Sequence, residues 1–128
     1  MKKISVFPLI GFENVKFGMS QEEVRALLGM PIEFRKNIYS SGTTDNFGFC
    51  HVFYDSGKKC EAAEFFSDTE IHVEETILLP GKIDNAKKMF PDLHDCGGSL
   101  ISKEKSVGIT VSGDFLESIL FGKPNYYM

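Results

Sequence analysis

The sequence predicts an α+β domain in which an antiparallel sheet is covered by two short helices. Three observations lead there. Residues 18–31, GMSQEEVRALLGMP, read as an amphipathic helix with both ends marked. Residues 81–91, GKIDNAKKMFP, carry a second apolar stripe at helical spacing. Most of the remaining chain alternates apolar and polar residues between Gly- and Ser-rich turns. A chain of 128 residues suits a single domain, 1–128.

Composition narrows the function classes. Hydrophobic residues at 42% and charged residues at 25% describe a globular protein and are too apolar for disorder. The net charge is −4, and the basic residues cluster only as the pairs Lys2-Lys3, Lys58-Lys59 and Lys87-Lys88. Without a basic face, nucleic acid is not an expected partner. A mildly acidic surface suits a basic partner, although acidity is more often a route to solubility. The three cysteines, Cys50, Cys60 and Cys96, cannot all pair, which points to reduced thiols and a cytoplasmic location. The opening MKKISVFPLIGF contains Pro8, is followed by Glu13 and lacks a small-residue cleavage site, so it reads as a first strand rather than a signal peptide. No apolar run approaches the length of a membrane span, and no membrane partner is expected.

The first helix is specified residue by residue. Ser20 is the N-cap and Glu23 its capping-box partner, with Met19 and Val24 placed as a hydrophobic staple. Val24, Leu27 and Leu28 form the apolar stripe, Gly29 suits the C-terminal turn and Pro31 blocks continuation. Glu22 and Glu23 favour the positive end of the helix dipole. Being adjacent, they do not face each other, which argues against paired acid–base work. So short a helix needs a sheet to cover its stripe.

Strands follow. IEFRKN (32–37) is a strand and 38–46 a polar loop. FGFCHVFY (47–54) and KCEAAEFF (59–66) form a hairpin about DSGK. With a two-residue Ser56-Gly57 turn, Tyr54 faces Lys59, Phe53 faces Cys60 and His51 faces Ala62. Phe47, Phe49, His51, Phe53, Cys60, Ala62 and Phe66 then share the core face, an assignment that one residue of slip would invert. EIHVEETILLP (70–80) reads as one long strand. In the second helix Ile83, Ala86, Met89 and Phe90 make the stripe. GSLIS (98–102), SVGITV (106–111) and FLESILF (115–121) complete the strands. The halves 11–68 and 69–123 share this order. VRALL overlays AKKMF, and YDSGKKCEAAEFF overlays VSGDFLESILFG, which matches Glu61 to Glu117. The two overlays differ in register, so the second half must have shorter loops. A tandem repeat and a chance likeness of short elements both fit.

The helix motif resembles that of the beta-lactamase-inhibitor-like fold, which also occurs in small bacterial outer-membrane-assembly lipoproteins. Gly18, Met19, Ser20, Glu22, Glu23, Val24, Leu28, Gly29 and Pro31 carry the likeness. It implies a scaffold that binds other proteins on a sheet or its loops, without catalysis. A related comparison is with intracellular immunity-type proteins that neutralise toxins.

Candidate sites are sparse. Cys50 and His51 are adjacent on a strand and point apart, leaving Cys60 as the thiol that can approach His51 diagonally. His94-Asp95-Cys96, even joined by His72 and Cys50, lacks the spaced ligand pairs of a zinc site, so no metal is expected. CGGS (96–99) has no following Lys and is not a phosphate loop. No cofactor motif is present. Partner binding is instead assigned to Tyr39 and Asp45 in the loop 38–46 and to Tyr126 and Tyr127 near the end, since loops and tyrosines are favoured at interfaces. The leading expectation is a non-enzymatic protein-binding module of inhibitor or immunity type, its partner a basic toxin or enzyme. The alternatives are a hydrophobic-ligand domain lined by Phe47, Phe49 and Phe53, and an enzyme using Cys60 or Cys96 with a histidine.

Overall fold

A computed structural model describes residues 2–34 and 42–127. The elements run β1 (Lys2–Phe7), β2 (Gly11–Phe12), β3 (Val15–Lys16), α1 (Gln21–Leu28), β4 (Ile32–Phe34), β5 (Thr44–Asn46), β6 (Cys50–Tyr54), β7 (Cys60–Phe66), β8 (Thr69–Val73), β9 (Thr76–Leu79), α2 (Ile83–Met89), β10 (His94–Cys96), β11 (Ser99–Ser102), β12 (Val107–Ser112) and β13 (Phe115–Gly122). The α+β class holds, with strands mostly antiparallel and two short helices.

The strands form two sheets rather than one. The larger has the order β10-β11-β12-β13-β7-β6-β5-β4, and the smaller β3-β2-β1-β8-β9. Each half therefore runs helix, then four-stranded antiparallel meander. The meanders join where β7 pairs antiparallel with β13, from Ser118 opposite Phe66 to Gly122 opposite Ala62. The same backbone clasp occurs in both halves. Cys60 N donates to Met19 O (2.7 Å) and Gln21 N to Lys58 O (3.0 Å); Leu116 N donates to Gly81 O and Ile83 N to Asp114 O, both at 2.9 Å. A β-bulge follows each clasp. Tyr54 faces Cys60 but Phe53 faces Ala62, and Val111 faces Leu116 but Thr110 faces Ser118. The extra residues are Glu61 and Glu117, the pair matched by the sequence overlay. The second half is the shorter, because Gly97-Gly98 alone joins β10 to β11 while residues 35–43 separate β4 from β5.

One core lies between the sheets and under the helices. It takes Ile4, Val6, Phe12 and Val15 from the small sheet, Val24 and Ala86 from the helices, and Cys50, Val52, Tyr54, Ala63, Phe65, Ile109, Ile119 and Phe121 from the large one. Phe12 meets Phe65 edge-on at 5.2 Å and so ties the sheets together. β1 pairs in parallel with β8, Lys2 opposite Thr69 and Ile4 opposite Ile71. The whole first half is thus the crossover between them.

Several expectations change. The β6–β7 hairpin closes through a three-residue loop, with Asp55 N donating to Lys59 O and Lys58 in the left-handed region at φ 59°. That shift, with the bulge, inverts the expected face. Cys50, Val52 and Tyr54 point inward, while His51, Phe53, Ala62 and Phe66 point outward; of the expected core face only Cys60, Phe47 and Phe49 touch the main core. The long strand 70–80 is a hairpin, β8–β9, folded at Glu74-Glu75 with Glu74 at φ 57°. Thr44–Asn46 is a strand rather than loop. His94–Cys96 is an exposed edge strand. On α1 the buried stripe runs through Gln21, Val24 and Leu28, while Leu27 is 48% exposed. An eight-residue helix lays only one narrow face on the sheet, and Leu27 falls outside it.

The capping box forms as expected. Ser20 Oγ accepts from Glu23 N (3.2 Å), and Ser20 N donates to Glu23 Oε1 (3.1 Å). The Ser20 backbone N–H and hydroxyl hold the Glu23 carboxyl below its ordinary range. The N-cap of α2 is Lys82, which makes no side-chain cap. Ser20→Ala should therefore cost about 1 kcal/mol in urea denaturation, whereas Lys82→Ala should stay within about 0.5 kcal/mol of the parent.

Candidate functional site

Asp45, expected in a partner-binding loop, is fully buried on β5. Its carboxylate accepts from Arg25 Nε (2.9 Å) and Nη2 (2.7 Å), from the Tyr54 hydroxyl (3.0 Å) and from Gln21 Nε2 (3.3 Å). Such a bidentate guanidinium pair is the strong kind of charged hydrogen bond. Arg25 also reaches Glu33 on β4 at 2.7 Å. Burial, then the Asp45 charge, pushes the Tyr54 hydroxyl well above its ordinary range, so it stays a donor. The network fastens α1 to β4, β5 and β6. Its carboxylate is saturated from within and has no surface to offer a partner. Reading the sequence did not single out Arg25, Gln21, Glu33 or Tyr54, because the pairing spans α1 and a strand beyond residues 35–43. Tyr39 lies outside the described residues.

Tyr126 and Tyr127 lie on the outward face of the large sheet. Beyond β13 the chain turns, with Lys123 N donating to Glu61 O (2.8 Å) and Tyr126 N to Lys123 O (3.0 Å). The two rings then meet edge-on at 5.1 Å and pack on a second small cluster of Phe53, Ala62 and Leu120. Two glycines admit them. A Cβ on Gly122 would lie 2.6 Å from Tyr126 Cβ, and one on Gly108 would lie 2.0 Å from the Tyr127 hydroxyl. Burial, then Glu61 and Glu64, pushes the Tyr126 hydroxyl up to about 12.

The outward face is continuous across the meanders. One row runs Ile32, Asn46, His51, Glu64, Leu120, Gly108, Ile101 and His94, paired strand to strand. Beside it the His51 ring sits between Phe34 (5.2 Å) and Phe66 (4.8 Å). Among the described residues of these strands, Glu64 is the one carboxylate at a regular outward position, and no lysine or arginine occupies one. Glu64 accepts from the Ser118 hydroxyl at 3.1 Å. Next to Glu64 lies a trough of about 260 Å³ bordered by Tyr127, Leu120, Ile101, Gly108 and Thr110.

The cysteine and ligand alternatives meet different fates. Cys60 faces inward and His51 outward, so the sheet separates them. Burial pushes the Cys60 thiol up to about 12 and raises that of Cys50 as well, the opposite of nucleophile activation. Cys96 is exposed on β10, and His72 pairs with Glu70 at 3.0 Å. Among the described residues no group of three or more His, Cys, Asp or Glu is arranged to hold a metal ion. Phe53 lies on the opposite side of the sheet from the core that Phe47 and Phe49 flank, so these three rings do not line one cavity. Gly97 and Gly98, at φ 68° and 95°, serve as the β10–β11 hairpin turn.

No protein-family model matches the chain, and no curated protein or solved structure matches it either. No helix among the described residues is long and apolar enough to cross a membrane.

Arg25→Ala should cost about 3 kcal/mol, because it strands the buried Asp45 charge. Glu33→Ala, at the exposed end of the same network, should cost less than about 1 kcal/mol; paired urea melts make the comparison. In native protein an alkylating agent should modify Cys96 rapidly and leave Cys50 and Cys60 protected until denaturant is added. Mass spectrometry of the time course reads this directly.

Proposed function

We propose that this chain is a non-enzymatic protein-binding module whose docking surface is the outward face of the eight-stranded sheet. The observation that carries the reading is the character of that face. It joins the edge-on Phe34–His51–Phe66 contacts to the Tyr126–Tyr127 pair and lacks outward lysine and arginine along its described strands. Aromatic residues supply most interface hot spots, and described strands that present Glu64 but no lysine or arginine at regular outward positions suit a basic partner. The net charge of −4 has the same sign. The likeness of GMSQEEVRALLGMP to beta-lactamase-inhibitor-like proteins favours a role of inhibitor or immunity type, with a toxin or enzyme as the target. The reduced cysteines Cys50, Cys60 and Cys96 accord with a cytoplasmic setting.

The test compares surfaces. Immobilised parent protein and a Phe66→Asp variant are exposed to lysate of the native organism, after circular dichroism shows that the variant is folded. A protein retained by the parent and reduced at least tenfold on Phe66→Asp is the expected result. Equal retention on both, or none on either, would refute the assignment of this face.

A further inference from the structure

We infer that the trough beside Glu64 is a pocket for a single arginine side chain presented by the partner protein. The inference rests on the proposed docking role and names the chemistry that the face recognises. Three features of the trough converge on a guanidinium. Glu64 is the carboxylate at its rim; its bond to the Ser118 hydroxyl uses Oε2, and among the described residues none donates to Oε1. Tyr127 supplies an aromatic wall, held in place by its edge-on contact with Tyr126 and by the bare backbone of Gly108 beneath its hydroxyl. Leu120 and Ile101, which pair with Gly108 from either side, give an apolar floor for the methylene stem.

An arginine suits all three surfaces at once. Its planar group stacks on a tyrosine ring while its N–H edge meets a carboxylate, and its stem lies against apolar side chains. A phosphate or carboxylate ligand would meet Glu64 as a like charge, and among the described residues no lysine or arginine lines the trough to offset it. A purely apolar ligand would have to bury that carboxylate unpaired. The volume of about 260 Å³ accommodates one side chain rather than a whole cofactor.

The test uses N-acetyl-arginine methylamide as the probe and its citrulline counterpart, which is nearly isosteric but uncharged, as the control. Binding is followed in the full chain by NMR. The expected result is saturable shifts of the Gly108 amide and the Leu120 and Ile101 methyls, half-complete in the millimolar range. Citrulline should be at least fivefold weaker, and Glu64→Gln should weaken the arginine probe about tenfold. Tyr127→Leu should weaken it too while leaving the fold intact by circular dichroism. Equal binding of citrulline, shifts elsewhere only, or no shifts would overturn the pocket. The capture experiment turns on Phe66, which does not line the trough. A partner lost on Phe66→Asp together with a silent arginine titration would sink the pocket and spare the docking face; arginine binding without surface-dependent capture would do the reverse.

Discussion

The pairing of β7 with β13 governs this molecule, because it fuses two meanders into one sheet and decides which side of every strand is dry. Directly opposed residues share a face, so Ala63 opposite Phe121 and Phe65 opposite Ile119 carry the core across the seam. On the other side Ala62 meets Gly122 and Glu64 meets Leu120. The bulges at Glu61 and Glu117 sit at the same distance from the clasp that fastens each meander to its helix. Each inserts one residue and so returns the strand to the seam with its apolar set inward.

The charged network about Asp45 is a second constraint, local where the seam is global. Burying a carboxylate is costly unless its oxygens are filled by good donors. Arg25, Gln21 and Tyr54 fill them from a helix and a neighbouring strand. These bonds have direction, which apolar contacts lack. They set the seating of α1, whose apolar stripe is otherwise only Val24 and the edge of Leu28. Among the described residues the second helix has no such clamp; it relies on Ala86 with the flanking Ile83, Met89 and Phe90.

The two sides of the large sheet differ in character. The inward side is filled by aliphatic side chains, Phe65, Phe121 and buried thiols. The outward side keeps aromatic rings half-exposed, lined up by strand pairing and supported by glycines at Gly108 and Gly122. The segment beyond β13 adds Tyr126 and Tyr127 to that face, so a stretch that reads as a terminal tail becomes part of a structured surface.

Some of this architecture was written locally. The capping box of Ser20 and Glu23, the Ile83–Ala86–Met89–Phe90 stripe, the place though not the length of the turn at Ser56-Gly57, and the match of the segment around Glu61 to that around Glu117 each depend on short local patterns, and the chain determined them by itself. Tyr126 and Tyr127 were legible as surface aromatics, though what they lean on was not. The inward or outward sense of the β6–β7 hairpin was decided only in three dimensions, because alternation has a period of two and one extra turn residue or bulge inverts it. The burial of Asp45 was hidden for a related reason. Its donors on α1 stand some twenty positions away in sequence, and the parallel pairing of β1 with β8 spans the whole first half. Contacts of that reach are set by how the layers close, and no short window of sequence encodes the closure.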